Sequence, residues 1–206
     1  MLDNSKSTQR STLKIRSVKR LYHGSDQKFD SFDLSCARSF KDFGKGFYLT
    51  TDLKQAQKWA QSKASTKSEA YIYSYRLDKL KGNPEMLSDL KILELHQYDK
   101  KWVDFISQSR IKGYETDYDI IYDRMADNNF IGISDILQKY IEKEIPADKA
   151  IEQLRWNNET ADQYCFKTER ALSLLTDQKI YVQYKNKKGL WQHGQPLLEN
   201  TERQVN

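Results

Sequence analysis

Asp42-Phe43-Gly44-Lys45-Gly46-Phe47-Tyr48-Leu49-Thr50-Thr51 joins a Gly-x-Gly loop to an aromatic-aliphatic run and then to a helix start. Phe47-Tyr48-Leu49 has the composition of a short strand. Asp52-Leu53-Lys54-Gln55 follows with the form of a capping box, Asp52 as N-cap and Gln55 three residues on. A helix over 53–65 is expected, with Ala56, Trp59 and Ala60 on one side. Upstream, Leu13-Lys14-Ile15-Arg16-Ser17-Val18 alternates apolar and polar residues, which predicts a half-buried strand ending at His23-Gly24-Ser25. Phe29, Phe32 and Leu34 then fall in a loop.

Downstream, Ala70-Tyr71-Ile72-Tyr73-Ser74-Tyr75 reads as a strand from its β-branched and aromatic content. Residues 85–155 read mainly as helix: 101–109 carries Trp102, Val103, Phe105 and Ile106 at helical spacing. Ser134 opens a second helix toward Ile145, and Pro146 restarts one through Leu154. A buried strand, Asp119-Ile120-Ile121-Tyr122, interrupts them. Gln163-Tyr164-Cys165-Phe166 and 179–184 supply late strands. The fold class is therefore α+β. A disordered basic tail is expected at 1–12, one domain at 13–190 with a helical insert at about 85–155, and a C-terminal tail at 191–206.

The chain of 206 residues is long enough for a proper core. Its net charge of +5 is concentrated at the start: Lys6, Arg10, Lys14, Arg16, Lys19 and Arg20 face Asp3 alone, so the remainder sums to zero. That pattern argues against a nucleic-acid surface spread over the body and leaves a basic arm. Cys36 and Cys165 have no metal-ligand spacing, and His23, His96 and His193 form no metal motif, so no metal is expected. Two distant cysteines suit a reducing, cytoplasmic location, with delivery into another cell left open. No apolar run is long enough to span a bilayer and no standard secretory signal is visible, so no membrane partner is expected.

Tyr22-His23-Gly24-Ser25 followed by Gly44-Lys45-Gly46-Phe47-Tyr48 resembles the NAD-binding core of the ADP-ribosyltransferase superfamily, in the His-Tyr-Glu branch shared by poly-ADP-ribose polymerases and diphtheria-like toxins. The likeness covers roughly residues 18–75 and 119–175. It is nearest to an uncharacterised bacterial family within that superfamily, whose members often look like toxins or effectors. It implies a split-sheet core with inserted helices and NAD as substrate. By the same resemblance His23, Gly24 and Ser25 would hold the ribose and carboxamide. Tyr48 would stack on nicotinamide, with Trp59 on the opposite face or else serving as a core anchor. Gly44 and Gly46 would bring the backbone, with Phe47, close to the ligand. Arg38, Lys41 and Lys45 would meet pyrophosphate.

The superfamily's catalytic glutamate falls on Gln163, which can bond a ribose hydroxyl but offers no charge to an oxocarbenium-like transition state. Glu159 or Glu169 are the alternatives if the register differs. Catalytic roles therefore fall to His23, Tyr48 and Gln163. The expected activity is mono-ADP-ribosylation of a macromolecule, a protein in preference to a nucleic acid, with an antitoxin or immunity partner possible. An NAD glycohydrolase and a non-catalytic NAD or ADP-ribose binding module are the competing expectations.

Overall fold

A computed structural model describes residues 14–78, 84–95, 97–126, 132–155 and 162–197. Eight strands form two four-stranded sheets. The strands are β1 (Arg20–Ser25), β2 (Phe47–Leu49), β3 (Glu69–Arg76), β4 (Ile92–Leu95), β5 (Ile120–Arg124), β6 (Asp162–Phe166), β7 (Thr176–Lys185) and β8 (Trp191–Leu197). One sheet has the order β1-β3-β7-β8 and the other β2-β6-β5-β4. Pairing is antiparallel throughout except for β4 with β5, which run parallel. Five α-helices are described: α1 (Leu53–Lys63), α2 (Lys100–Lys112), α3 (Ile133–Ile141), α4 (Ala147–Leu154) and the single turn α5 (Glu169–Leu172). The chain is thus mixed α+β. None of the described helices is long and apolar enough to cross a membrane.

Side-chain alternation sorts the strands into layers. Leu21, Tyr73 and Tyr75 of the first sheet meet Phe47, Leu49, Ile120, Tyr122, Tyr164 and Phe166 of the second in the central core. The opposite face of the second sheet, with Leu95, Ile121 and Cys165, packs on Trp102, Val103 and Ile106 of α2 and on Ile136, Leu137, Ala150 and Leu154 of α3 and α4. On the outer face of the first sheet, Ala56, Ala60 and Ala64 of the α1 segment lie against Ala70 and Ile72. Small residues on that stripe let the helix come close to the strands.

Several expectations are corrected. Lys14–Ser17 is a 3-10 turn, not a strand, with only Ile15 buried; Leu13 and the tail at 1–12 lie outside the described residues. His23 is the fourth of six residues in β1, not its end. Asp52 does cap α1, accepting from the Lys54 N–H, worth about 1 kcal/mol. Gln55 does not complete the box: its side-chain amide donates to the Asp162 carbonyl instead. The region 85–155, expected to hold one strand among its helices, holds a second, β4. Residues from 191 onward begin as a paired strand, β8, and not as a tail.

Candidate active site

Among the described residues, one backbone pair joins the two sheets. Tyr22 of β1 and Thr50, just past β2, exchange both hydrogen bonds, at 2.8 and 2.9 Å. From there β1 continues along β3 and β2 along β6, so the strands part. His23, one residue beyond the junction, bridges them with its side chain: the imidazole Nδ1 lies 2.7 Å from the Tyr48 carbonyl oxygen. A carbonyl accepts, so Nδ1 carries the proton and Nε2 is left as an acceptor. Among the described residues Nε2 has no hydrogen-bond partner. Phe47, Phe29, Phe32 and Tyr73 surround the ring, Phe47 with its centroid 4.6 Å away. Burial among them pushes the imidazole pKa down to about 4 despite the Tyr48 hydrogen bond, which favours the charged form. His23 is therefore neutral near pH 7.

Tyr48 lies opposite Cys165 in the β2–β6 ladder, so it shares a sheet face with Gln163, two residues earlier on β6. Its hydroxyl is fixed by the turn before it, donating to the Gly44 carbonyl at 2.7 Å and accepting from the Phe43 N–H at 3.0 Å. Burial, with Cys165 and Asp42 nearby, raises its pKa well above the usual tyrosine range. Gln163 is 9% exposed. Its Nε2 donates to Asp42 Oδ2 at 2.8 Å, and Arg110 of α2 pairs with Asp42 Oδ1. With the amide nitrogen committed to Asp42, the Gln163 Oε1 is the atom left for an incoming hydroxyl. Asp42, read in the sequence only as part of a motif, is thus the residue that orients Gln163.

Directly across from Gln163, in the β5–β6 ladder, stands Asp123. It is 0% exposed; its Oδ1 accepts from the Arg124 N–H, and its Oδ2 has no hydrogen-bond partner. Burial pushes its pKa up to about 8, against the Arg124 N–H bond, which lowers it. A charged residue closing the apolar run Ile120-Ile121-Tyr122 was the signal that could have marked it.

A group of cations borders this constellation. Lys41 is held below the usual lysine range, first by burial and then by Lys63, Arg110 and Arg38. Arg38, Lys41, Lys63 and Arg110 therefore share one electropositive neighbourhood. Lys45 is placed elsewhere. Its N–H bonds both oxygens of Glu115, at 2.9 and 3.1 Å, and its carbonyl accepts from Lys167 Nζ at 2.7 Å. That network fixes the glycine loop, and Lys45 is exposed.

Other expected site residues have structural duties. A Cβ on Gly24 would overlap the Ala56 carbonyl oxygen and lie 2.9 Å from the Ala60 nitrogen, so its bareness admits α1. A Cβ on Gly46 would overlap Cys165 Sγ and lie 2.9 Å from the Phe166 carbonyl oxygen, and one on Gly44 would meet the Glu115 carboxylate. The close approaches these glycines permit are to the protein itself. Phe47 is core, stacked on Phe32 at 4.1 Å. Ser25 accepts from the Gln27 N–H in the turn after β1. Trp59 is neither a core anchor nor a partner of Tyr48: it is 48% exposed and carries the Lys63 ammonium 4.9 Å from its ring centroid. Glu169 opens α5 on the surface, and Glu159 lies outside the described residues.

An open cleft of about 470 Å³ sits beyond the Tyr22–Thr50 junction, lined by Lys14, Lys19, Arg20, Tyr22, Tyr122 and Asp162. It contains none of His23, Tyr48 and Gln163. Its carboxylate is committed: Asp162 accepts from the Thr50 hydroxyl and from the Thr51 N–H and hydroxyl. The size of that cleft does not outweigh the chemistry gathered around Gln163.

A family model described as "Protein of unknown function (DUF3990)" matches residues 19–176, from just before β1 to the first residue of β7. Neither the curated proteins nor the solved structures contain a match to this chain.

Proposed function

The chain belongs to this family of proteins of unknown function, and from the parting of β1 and β2 we propose that it is a mono-ADP-ribosyltransferase that cleaves NAD between nicotinamide and ribose. The observation that carries the reading is the parting of β1 and β2 at His23, with Tyr48 and Gln163 on one adjoining face. Neutral His23 offers Nε2 as an acceptor for a ribose hydroxyl. The face of the Tyr48 ring offers a flat apolar wall to nicotinamide while its hydroxyl is held away by Gly44 and Phe43. Gln163 presents Oε1 to a second hydroxyl because Asp42 holds its nitrogen. Arg38, Lys41, Lys63 and Arg110 suit a pyrophosphate.

Nicotinamide departs neutral, so the site needs no strong acid; it needs a bent substrate and stabilisation of a ribosyl cation. The acceptor is proposed to be a macromolecule, protein first, as for a toxin or effector. The uncharged Gln163 supports a second reading, an NAD-binding module without turnover.

The test is nicotinamide release from labelled NAD by the purified chain with whole-cell lysate present. Label retained on protein or nucleic acid supports transfer and names the acceptor class. Release without retention makes the protein a glycohydrolase. Saturable NAD binding with no release makes it a binding module. Replacing His23 and Tyr48 together by alanine should abolish turnover in a chain that still folds cooperatively; undiminished turnover removes the site.

A further inference from the structure

The stabilisation of a ribosyl cation calls for negative charge, and Gln163 has none. The side chain nearest to it across the ladder does. Asp123 and Gln163 are register partners on antiparallel strands, which places their Cα atoms about 5 Å apart with side chains on the same face. Gln163 does not bond Asp123; its amide nitrogen donates to Asp42. One Asp123 oxygen takes the Arg124 N–H; the other is fully buried without a partner. An unpaired buried carboxyl oxygen is a standing cost to the fold. An apolar residue at this position, beside its ladder partner Leu95, would avoid it.

We propose that Asp123, acting from β5, supplies the negative charge that Gln163 lacks at the NAD ribose; this rests on the reading of the parted strands as an NAD site. The bond between ribose C1′ and the nicotinamide nitrogen breaks with both electrons passing to the nicotinamide ring, which leaves neutral. C1′ becomes cationic and then takes a lone pair from the acceptor, whose proton goes to solvent. Asp123 loses its own proton to solvent before this step and forms no bond; its carboxylate favours the cation alongside Gln163. Asp42 from the glycine loop and Asp99 from the start of α2 face it with like charge, and Arg124 on its own strand with opposite charge. Gln163 of β6 and Leu95 of β4, its two ladder partners, do not titrate. The free carboxyl titrates near 8, chiefly through burial, so the charged form prevails only in mildly alkaline solution.

The test uses the full chain and NAD carrying labelled nicotinamide, with kcat/KM for release measured from roughly pH 6 to roughly pH 9. The wild type should rise to a plateau above about 8. Asp123→Asn, which keeps shape and removes charge, should lower the plateau about 100-fold and flatten the profile. Adding Gln163→Glu to Asp123→Asn moves the carboxylate across the ladder and should restore most of the rate, without the rise near 8. A single variant as fast as the wild type, a wild-type profile without the alkaline rise, or a charge swap without rescue each overturns the assignment. The wild-type profile decides alone if the single variant fails to melt cooperatively. Absence of nicotinamide release from the wild type at every pH is a distinct result: it removes the NAD reading, and this role for Asp123 with it.

Discussion

A methyl group at position 24 would press into the Ala56 carbonyl oxygen and the Ala60 nitrogen, both helix backbone that cannot rotate away. Gly24→Ala must therefore lift α1 from β1, and should cost about 1–3 kcal/mol or more in urea denaturation. A loss below about 0.5 kcal/mol would mean that the helix does not sit this close. His23 separates two roles that share one ring. Nδ1 ties β1 to the Tyr48 carbonyl, and Nε2 is the atom that the proposed function assigns to substrate. An asparagine amide can reproduce the first and not the second. His23→Asn should keep the melting temperature within a few degrees while raising KM for NAD about tenfold, the cost of one hydrogen bond to substrate. A collapse in stability with KM unchanged would assign the histidine to the fold alone. At this scale the residue types were legible and their directions were not. Tyr48 and Gln163 share one face of the second sheet and His23 bonds the Tyr48 backbone carbonyl, whereas Gly24, Gly46 and Phe47 face helix, strand and core. A sequence motif cannot say whether a glycine makes room for a ligand or for the protein itself.

Among the elements, the start of β5 is held by one carboxylate. Asp119 is fully buried and accepts from the Lys91 N–H, the Thr168 hydroxyl and two nitrogens of Arg170. It thereby pins the residue before β4 and the first turn of α5 to the edge of the second sheet. Burial alone would raise its pKa, but the Arg170 and Thr168 hydrogen bonds, with the Lys91 N–H, hold the carboxyl below its usual range. Asp119→Ala leaves the Lys91 N–H and the Thr168 hydroxyl without their partner and should destabilise by about 1–3 kcal/mol in urea, Arg170 being exposed to solvent. Because the native carboxyl is the stronger acid, its contribution is complete above the ordinary aspartate pKa and fades as the pH falls below it. An unchanged midpoint would show that these bonds are dispensable. The strands with clear composition, β3, β5 and β6, could be read from the sequence. β4 could not, since four residues, Ile92-Leu93-Glu94-Leu95, have no period to read and owe their extension to pairing with β5. β8 contains Gly194 and Pro196, which argue against a strand unless it lies at an edge, where β8 in fact lies. Lys14–Ser17 failed the other way: alternation of four or five residues suits a 3-10 turn that buries Ile15 equally well.

At the scale of the whole fold, His23 and Asp123, both buried, titrate in opposite senses between about pH 4 and about 8, and their sum shapes stability across that range. Native His23 titrates near 4 and an unfolded histidine near 6.5, so between those values the unfolded chain binds more protons and stability rises with pH. Native Asp123 titrates near 8 against 3.8 unfolded, so the native chain holds the extra proton and stability falls as pH rises through that interval. From about 4 to 6.5 the two slopes cancel and urea midpoints should be nearly level. Above 6.5 only Asp123 remains, and stability should fall by about 2 kcal/mol on reaching 8, at about 1.4 kcal/mol per pH unit. Asp123→Asn removes the falling limb: that variant should gain stability from 4 to 6.5 and then hold level, overtaking the wild type most clearly at alkaline pH. This readout needs neither NAD nor an acceptor, so it tests the buried acid independently of any reaction. A wild type equally stable at 6.5 and 8 would show that Asp123 is already ionised at neutral pH, and the alkaline rise that its assigned role requires would be lost with it.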